Sequence, residues 1–167
     1  MRQTQVIDFL LGLSVVALGY ILHDQIYNIR GNVISIVVAI LVGSAVGIVS
    51  VALIARWMGA EPAVVASLEP KSVTTAVSAN SGGIPALTSV AVIVVGVFGG
   101  IVGPWVLRRV GVESRIAKGL AMGAAAHALG TARAMELGAV EGAISGLAIG
   151  LMGLATAILV PILGKIL

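Results

Sequence analysis

Long uncharged runs alternate with shorter, more polar stretches along this chain. Residues 33–55, 86–107 and 142–164 carry no Asp, Glu, Lys or Arg over 22 or 23 positions each. At about 1.5 Å of helical rise per residue, each is long enough for the roughly 30 Å hydrocarbon core of a bilayer. The pattern predicts three membrane-spanning helices. A fourth apolar run, residues 9–22, follows Asp8 and holds 14 uncharged residues, short of the roughly 20 a span needs. It reads as a membrane segment that starts before Asp8, tilts, or is a partial helix. A signal peptide would look similar, but no small-x-small cleavage pattern follows.

Two weaker segments lie between the strong runs, at 61–85 and 115–141. Both are moderately apolar, rich in small residues and marked by isolated ionisable groups. Each is followed by a strong span, which points to an internal repeat. Sliding the sequence by 56 residues places Lys71 on His127, Thr75-Ala76 on Thr131-Ala132, Gly82 on Gly138 and Ser89 on Ser145. Pro104 and Pro161 match with one residue of slip. Paired interrupted segments at corresponding positions are a pointer to transporter binding sites. If each weak segment dips in and returns, the two units are inverted; if each crosses fully, they are parallel.

Composition supports the membrane reading. The 167 residues are 59% hydrophobic and 10% charged, against roughly 25% charged in a soluble domain. Mean hydropathy is +1.13, more apolar surface than one small soluble core can hide. The expected fold is all-α: a single polytopic membrane domain over 1–167, with long spanning helices and two interrupted or re-entrant segments. Net charge is +3 without an aromatic-interleaved basic patch, which argues against nucleic-acid binding. Cysteine is absent, which excludes disulfides, thiolate metal sites and a cysteine nucleophile. The strongest positive cluster, Arg108, Arg109, Arg115 and Lys118 around Glu113, is expected on the cytoplasmic side of the inner (plasma) membrane, and Arg56 marks another cytoplasmic end. Glycines recur four apart at Gly43/Gly47, Gly99/Gly103, Gly119/Gly123 and from Gly138 to Gly150. That spacing lets helix backbones approach closely in lipid, within one chain or between chains.

The most abrupt break in the apolar pattern is Pro70-Lys71-Ser72-Val73-Thr74-Thr75, closed by Asn80-Ser81-Gly82-Gly83-Ile84-Pro85. Irregular polar backbone survives at membrane depth only when buried in protein or lining a water-filled cavity. On a helix, Lys71, Thr74, Thr75 and Ser78 share one face, a surface suited to a small carboxylate. Alternatively Lys71 snorkels to the interface and the hydroxyls bond their own backbone. The Gly-Gly-x-Pro step allows a new helix to start at Pro85, with free N–H groups that attract anions if the end is buried.

In the second weak segment His127 lies in an alanine-rich stretch with Thr131 one turn later on the same helix. It is either a proton carrier or a packed polar residue. Arg133 and Glu136 have the spacing to pair on one helix. Glu141, just ahead of the last span, reads as an ordinary interfacial charge. No second histidine has metal-ligand spacing, and no serine elbow or oxyanion motif accompanies the carboxylates. Neither a metal, a cofactor nor an enzymatic activity is expected.

Several ordered motifs carry a family resemblance. They are Pro70-Lys-Ser-Val-Thr-Thr, Gly82-Gly-Ile-Pro-Ala-Leu-Thr88, Ala117-Lys-Gly-Leu-Ala, His127-Ala-Leu-Gly-Thr-Ala132 and Glu136-Leu-Gly-Ala-Val-Glu-Gly-Ala143. Together they closely resemble the LrgB/CidB family, with a weaker match back to about Leu11. Leu13 and Ile21 stand where the family usually has prolines, and the chain looks like a form without the family's further N-terminal membrane segments. The resemblance implies two functions. One is transport of small monocarboxylates, pyruvate in bacteria or glycolate and glycerate in plastid relatives. The other is holin- or antiholin-like control of murein hydrolase activity and autolysis with an LrgA/CidA-type partner. The implied surroundings are the lipid bilayer, a small carboxylate anion, and either such a partner subunit or a homo-oligomer. The candidate substrate contacts are Lys71, Ser72, Thr74, Thr75, Asn80, Gly82 and Gly83 in the first weak segment. In the second they are His127, Gly130, Thr131, Arg133 and Glu136. All but Asn80 and Arg133 fall on the family's motifs.

Overall fold

The computed structural model describes residues 26–68 and 84–163, together with positions 16, 19, 20, 23 and 24. The described residues are helical, without strands. A short α1 (Ile26–Arg30) precedes α2 (Val33–Trp57) and α3 (Pro62–Leu68); α4 (Pro85–Arg109), α5 (Arg115–Leu137) and α6 (Ala139–Leu163) follow. Helices α2 and α4, and Ala139–Val160 of α6, are long and apolar enough to cross a membrane. They coincide with the three uncharged runs. The 9–22 run lies almost wholly outside the described residues.

The spans differ in how much they bury. Helix α4 turns Val90, Ile93, Val94, Phe98 and Ile101 outward. In water such a face would cost apolar hydration along the whole helix; in a bilayer it faces lipid. Helix α6 is the more enclosed span, with Ala143, Ile144, Ala148 and Met152 buried. It meets α2 through Ile40, Ala148, Met152 and Ala155. There the buried Ser44 hydroxyl donates to the Met152 sulfur at 2.8 Å.

Helices α2 and α4 end in the same way. After each, a glycine at φ +76° (Gly59, Gly111) reverses the chain, a conformation that suits a residue without Cβ. The hydrogen bonds repeat one for one. Met58 N–H donates to Ile54, Gly59 to Arg56 and Ala60 to Ala55; Val110 donates to Val106, Gly111 to Arg108 and Val112 to Leu107. In the second copy the Ser114 hydroxyl then caps α5, accepting from the Ala117 N–H at 3.3 Å.

The end of α2 lies at the start of α4. Ala52 and Ala55 pack on Val65 of α3. Two residues on, the Ser67 hydroxyl accepts from Ile84 N–H at 2.6 Å, and Thr88 Oγ1 donates to the Ser67 carbonyl at 2.8 Å. At the other end of α4, Pro104, Leu107 and Arg108 border the same cavity as Leu137 and Glu141, where α6 begins. So α2 and α4 run antiparallel, and so do α4 and α6. Arg56 therefore sits at the membrane face opposite Arg108 and Arg109, which corrects the expectation that both ends are cytoplasmic: one full crossing separates them. The spans that follow the two weak segments, α4 and α6, point in opposite directions, as the inverted form of the repeat requires.

Candidate functional site

Helix α5 does not cross. At His127 the backbone takes φ 51°, ψ −138°, a region that residues with a Cβ rarely occupy and that costs of order 1–3 kcal/mol. The chain folds back there. Eight residues along a straight helix would be about 12 Å apart, yet a Cβ placed on Gly130 would strike the Met122 carbonyl oxygen and the Ala126 side chain. Lys118 and Arg133, fifteen positions apart in sequence, border one small cavity. Residues 115–126 and 128–137 are thus two half-helices of a hairpin, the second weak segment in its re-entrant form. This also corrects the placing of His127 one turn before Thr131 on a single helix.

Their lengths fit a dip to mid-membrane. The halves rise about 18 Å and 15 Å at 1.5 Å per residue, half of a roughly 30 Å hydrocarbon core. Contacts with α4 agree. Gly96, beside the midpoint of α4, faces the Ala126 carbonyl and the Leu129 side chain, the residues on either side of the reversal. Gly99 meets Ala126, and Gly103, one turn nearer the basic end, meets Met122.

Missing side chains hold the hairpin in place. A Cβ on Gly119 would collide with the Glu141 carbonyl and Ile144, and one on Gly123 with the Ser145 carbonyl and hydroxyl. On the returning half, Gly142 of α6 admits Met135. Both halves therefore lie directly on the first turns of α6, where Thr131 and Ser145, buried at 4% and 0% exposure, share a hydrogen bond of 2.7 Å. A hydroxyl pair of this kind satisfies polar groups that lipid cannot.

The sequence candidates divide in two. Lys71, Ser72, Thr74, Thr75, Asn80, Gly82 and Gly83 lie outside the described residues. Their flanks are described: Ser67 and Ile84 are in contact, so the chain leaves α3 and rejoins α4 at one place. The other five lie on the hairpin. His127 is half-buried at its tip, Gly130 and Thr131 are buried on the returning half, and Arg133 pairs with Glu136 further down. That ion pair borders a groove against Gly96, Val97, Gly100 and Ile101 of α4. The structure brings His127, Gly130 and Thr131 together near mid-depth and sets Arg133 and Glu136 nearer the basic end.

Glu141 is a correction. It is not an ordinary interfacial charge but 6% exposed, with its carboxylate folded back against Gly138 and into a cavity shared with Arg108, Lys118 and Arg133. Ser145, the partner of Thr131, was likewise no candidate. Its one sequence signal was its match to Ser89 in the repeat. Among the described residues no cluster of His, Asp and Glu could hold a metal ion.

Comparisons with known proteins give a consistent result. The chain is similar to an uncharacterised protein of Haemophilus influenzae, 38% identical over 165 residues, covering 96% of this chain and 71% of that protein. It is 35% identical to the uncharacterised protein YwbG of Bacillus subtilis, over 90% of this chain and 68% of the relative. It is 37% identical to the antiholin-like protein LrgB of Bacillus mycoides, over 94% and 70% respectively. No solved structure matches. The model of the LrgB-like family matches residues 1–166. With three antiparallel spans and a hairpin motif that all lie inside that match, the chain belongs to the LrgB-like family of membrane proteins.

Proposed function

We propose that this chain moves small monocarboxylates of the pyruvate or glycolate/glycerate type across the cell's inner membrane. The observation that carries the reading is the backbone reversal at His127, set at mid-depth between antiparallel spans. A membrane helix that stops halfway leaves the first N–H groups of its returning half without helical partners, and such half-helix starts favour anionic groups. In this reading Gly130 lets the two halves close, Thr131 holds the returning half to α6, and His127 faces the substrate. The repeat then assigns the other half of the site. Lys71 matches His127 and Thr75 matches Thr131 in the 56-residue slide, so Lys71 supplies the cation and Ser72, Thr74, Thr75, Asn80, Gly82 and Gly83 its polar surroundings. Arg133 and Glu136 line the approach. A site of this kind calls for binding and release and for no catalytic step.

Purified chain in lipid vesicles tests the reading by uptake of labelled pyruvate and glycolate. Uptake is expected, and Lys71→Ala is expected to abolish it while leaving the protein folded. Uptake at the original rate in that variant removes Lys71 from the site.

A second reading rests on the names of the Bacillus mycoides and Bacillus cereus relatives, which are antiholin-like. In it the chain restrains murein hydrolase activity and autolysis together with an LrgA/CidA-type subunit or a second copy of itself. Expression should then change the rate of autolysis, and Lys71→Ala should not alter that effect.

A further inference from the structure

At the open base of the hairpin lies a cavity of about 140 Å³, well below the tip, bordered by Arg108, Lys118, Arg133 and Glu141 with Pro104 and Leu107 as its apolar wall. These charges come from three helices. Arg108 ends α4, Lys118 and Arg133 stand on the outgoing and returning halves of α5, and Glu141 belongs to the first turn of α6. Arg133 is engaged from outside by Glu136. The remaining lining opposes two cations, Arg108 and Lys118, to a single carboxylate that is 6% exposed.

Glu141 cannot easily leave. Its backbone carbonyl sits where a Cβ on Gly119 would be, and its carboxylate lies over Gly138. The carboxylate is a tethered anion in a positive recess. At roughly 30 Å³ per water, the space is that of four or five waters, room for one tetrahedral oxyanion and far too little for a nucleotide. A guanidinium and an ammonium facing one small space are the donors that oxyanions take.

We propose that this cavity binds a phosphate group, with Arg108 and Lys118 as its cations and Glu141 as the built-in competitor for the same place. The phosphate is either free or the headgroup of an anionic phospholipid, whose chains would lie on the exposed α4 face beside Trp105. The site is separate from the His127 reversal: Lys118 and His127 are nine residues apart on one half-helix, about 13 Å. Its test does not depend on transport.

The test uses the full chain in uncharged detergent, titrated calorimetrically with inorganic phosphate, and in nanodiscs of phosphatidylcholine with and without phosphatidylglycerol, read by native mass spectrometry for retained lipid. Arg108→Gln with Lys118→Gln should weaken binding by about tenfold or more, the scale of losing charge-assisted hydrogen bonds. Arg108→Lys with Lys118→Arg, which keeps both charges, should retain most of it and guards against misfolding. Glu141→Gln should move binding the opposite way, tightening it. A response in the phosphate arm identifies a free oxyanion as the ligand; the same order of variants in the lipid arm alone identifies the headgroup. If Glu141→Gln binds no more tightly than the original chain, or the cations make no difference in either arm, the proposal is overturned. Glu141 is then a structural counter-ion only.

Discussion

Two glycine pairs with the same four-residue spacing have opposite surroundings. Gly119 and Gly123 on the outgoing half of α5 are pressed against the backbone of α6 at Glu141 and Ser145. Among the described residues, nothing lies within 4 Å of where a Cβ would stand on Gly43 or Gly47 of α2. They face an apolar groove whose other wall is Ala117, Ala121 and Ala124 of the same half of α5. The spacing permits close approach in lipid, but among the described residues the first pair uses it and the second does not. The difference follows from geometry. A hairpin must fit two half-helices where one span would lie, so its backbone has to come closer to its neighbours than α2 does. A small-residue repeat thus marks where packing can tighten, and the re-entrant turn decides where it does.

The largest effect that sharpens this contrast is expected from the hairpin glycines. Gly123→Ala places a methyl against the Ser145 carbonyl, and Gly130→Ala places one against the Met122 carbonyl. Backbone cannot give way as a flexible side chain does, so each should destabilise by about 1–3 kcal/mol or more. Unfolding by denaturing detergent reads the loss. Next is His127, whose positive φ is a cost that the packing on both sides must offset. His127→Gly should raise stability by about 1 kcal/mol or more, whereas His127→Ala, which keeps the Cβ, should not. If transport needs the imidazole, both variants lose it, so the pair separates backbone strain from side-chain chemistry.

A smaller loss is expected from Thr131→Ala. It removes the bond to Ser145, and hydroxyl pairs between membrane helices contribute about 0.6 kcal/mol on average and up to about 1.7. The same unfolding titration measures it, and Ser145→Ala in the Thr131→Ala background should add little if the two act as a pair. The smallest effect is expected at Gly43→Ala and Gly47→Ala, within about 0.5 kcal/mol of the original chain. A large loss at Gly47 would erase the contrast between the two regions.

The spans were legible because charge is so costly in hydrocarbon that its absence over 22 or 23 residues outlines a crossing. The second weak segment was legible as unlike a span, through Lys118, Arg133 and Glu136 within one apolar stretch. Its reversal point was not. Residues 124–129, Ala-Ala-Ala-His-Ala-Leu, are mostly strong helix formers, and a histidine gives no local signal for positive φ. The turn is imposed from outside, by the fit of Gly119, Gly123 and Gly130 on α6 and on the hairpin's own first half. Glu141 was misread for a related reason. A carboxylate beside a long apolar run resembles an interfacial charge until the base of the hairpin folds over it. The side of Arg56 depended on counting crossings, and a charge cluster cannot count them. The 56-residue slide, by contrast, left the inverted and parallel forms of the repeat open, and α4 and α6 point in opposite directions, as the inverted form requires.

The central claim is that residues 115–137 enter the membrane and return on the same side. The chain has no cysteine, so single cysteines can be placed without background. Ser114→Cys and Leu137→Cys stand at the two ends of α5 and are both exposed. In sealed vesicles of uniform orientation, a membrane-impermeant maleimide added from one side should label both positions or neither. Met58→Cys, exposed just past the end of α2 at the opposite face, serves as the contrary-side control after the vesicles are opened. Labelling of Ser114→Cys and Leu137→Cys from opposite sides would show that α5 crosses the membrane, and the account of a half-way reversal at His127 would be contradicted.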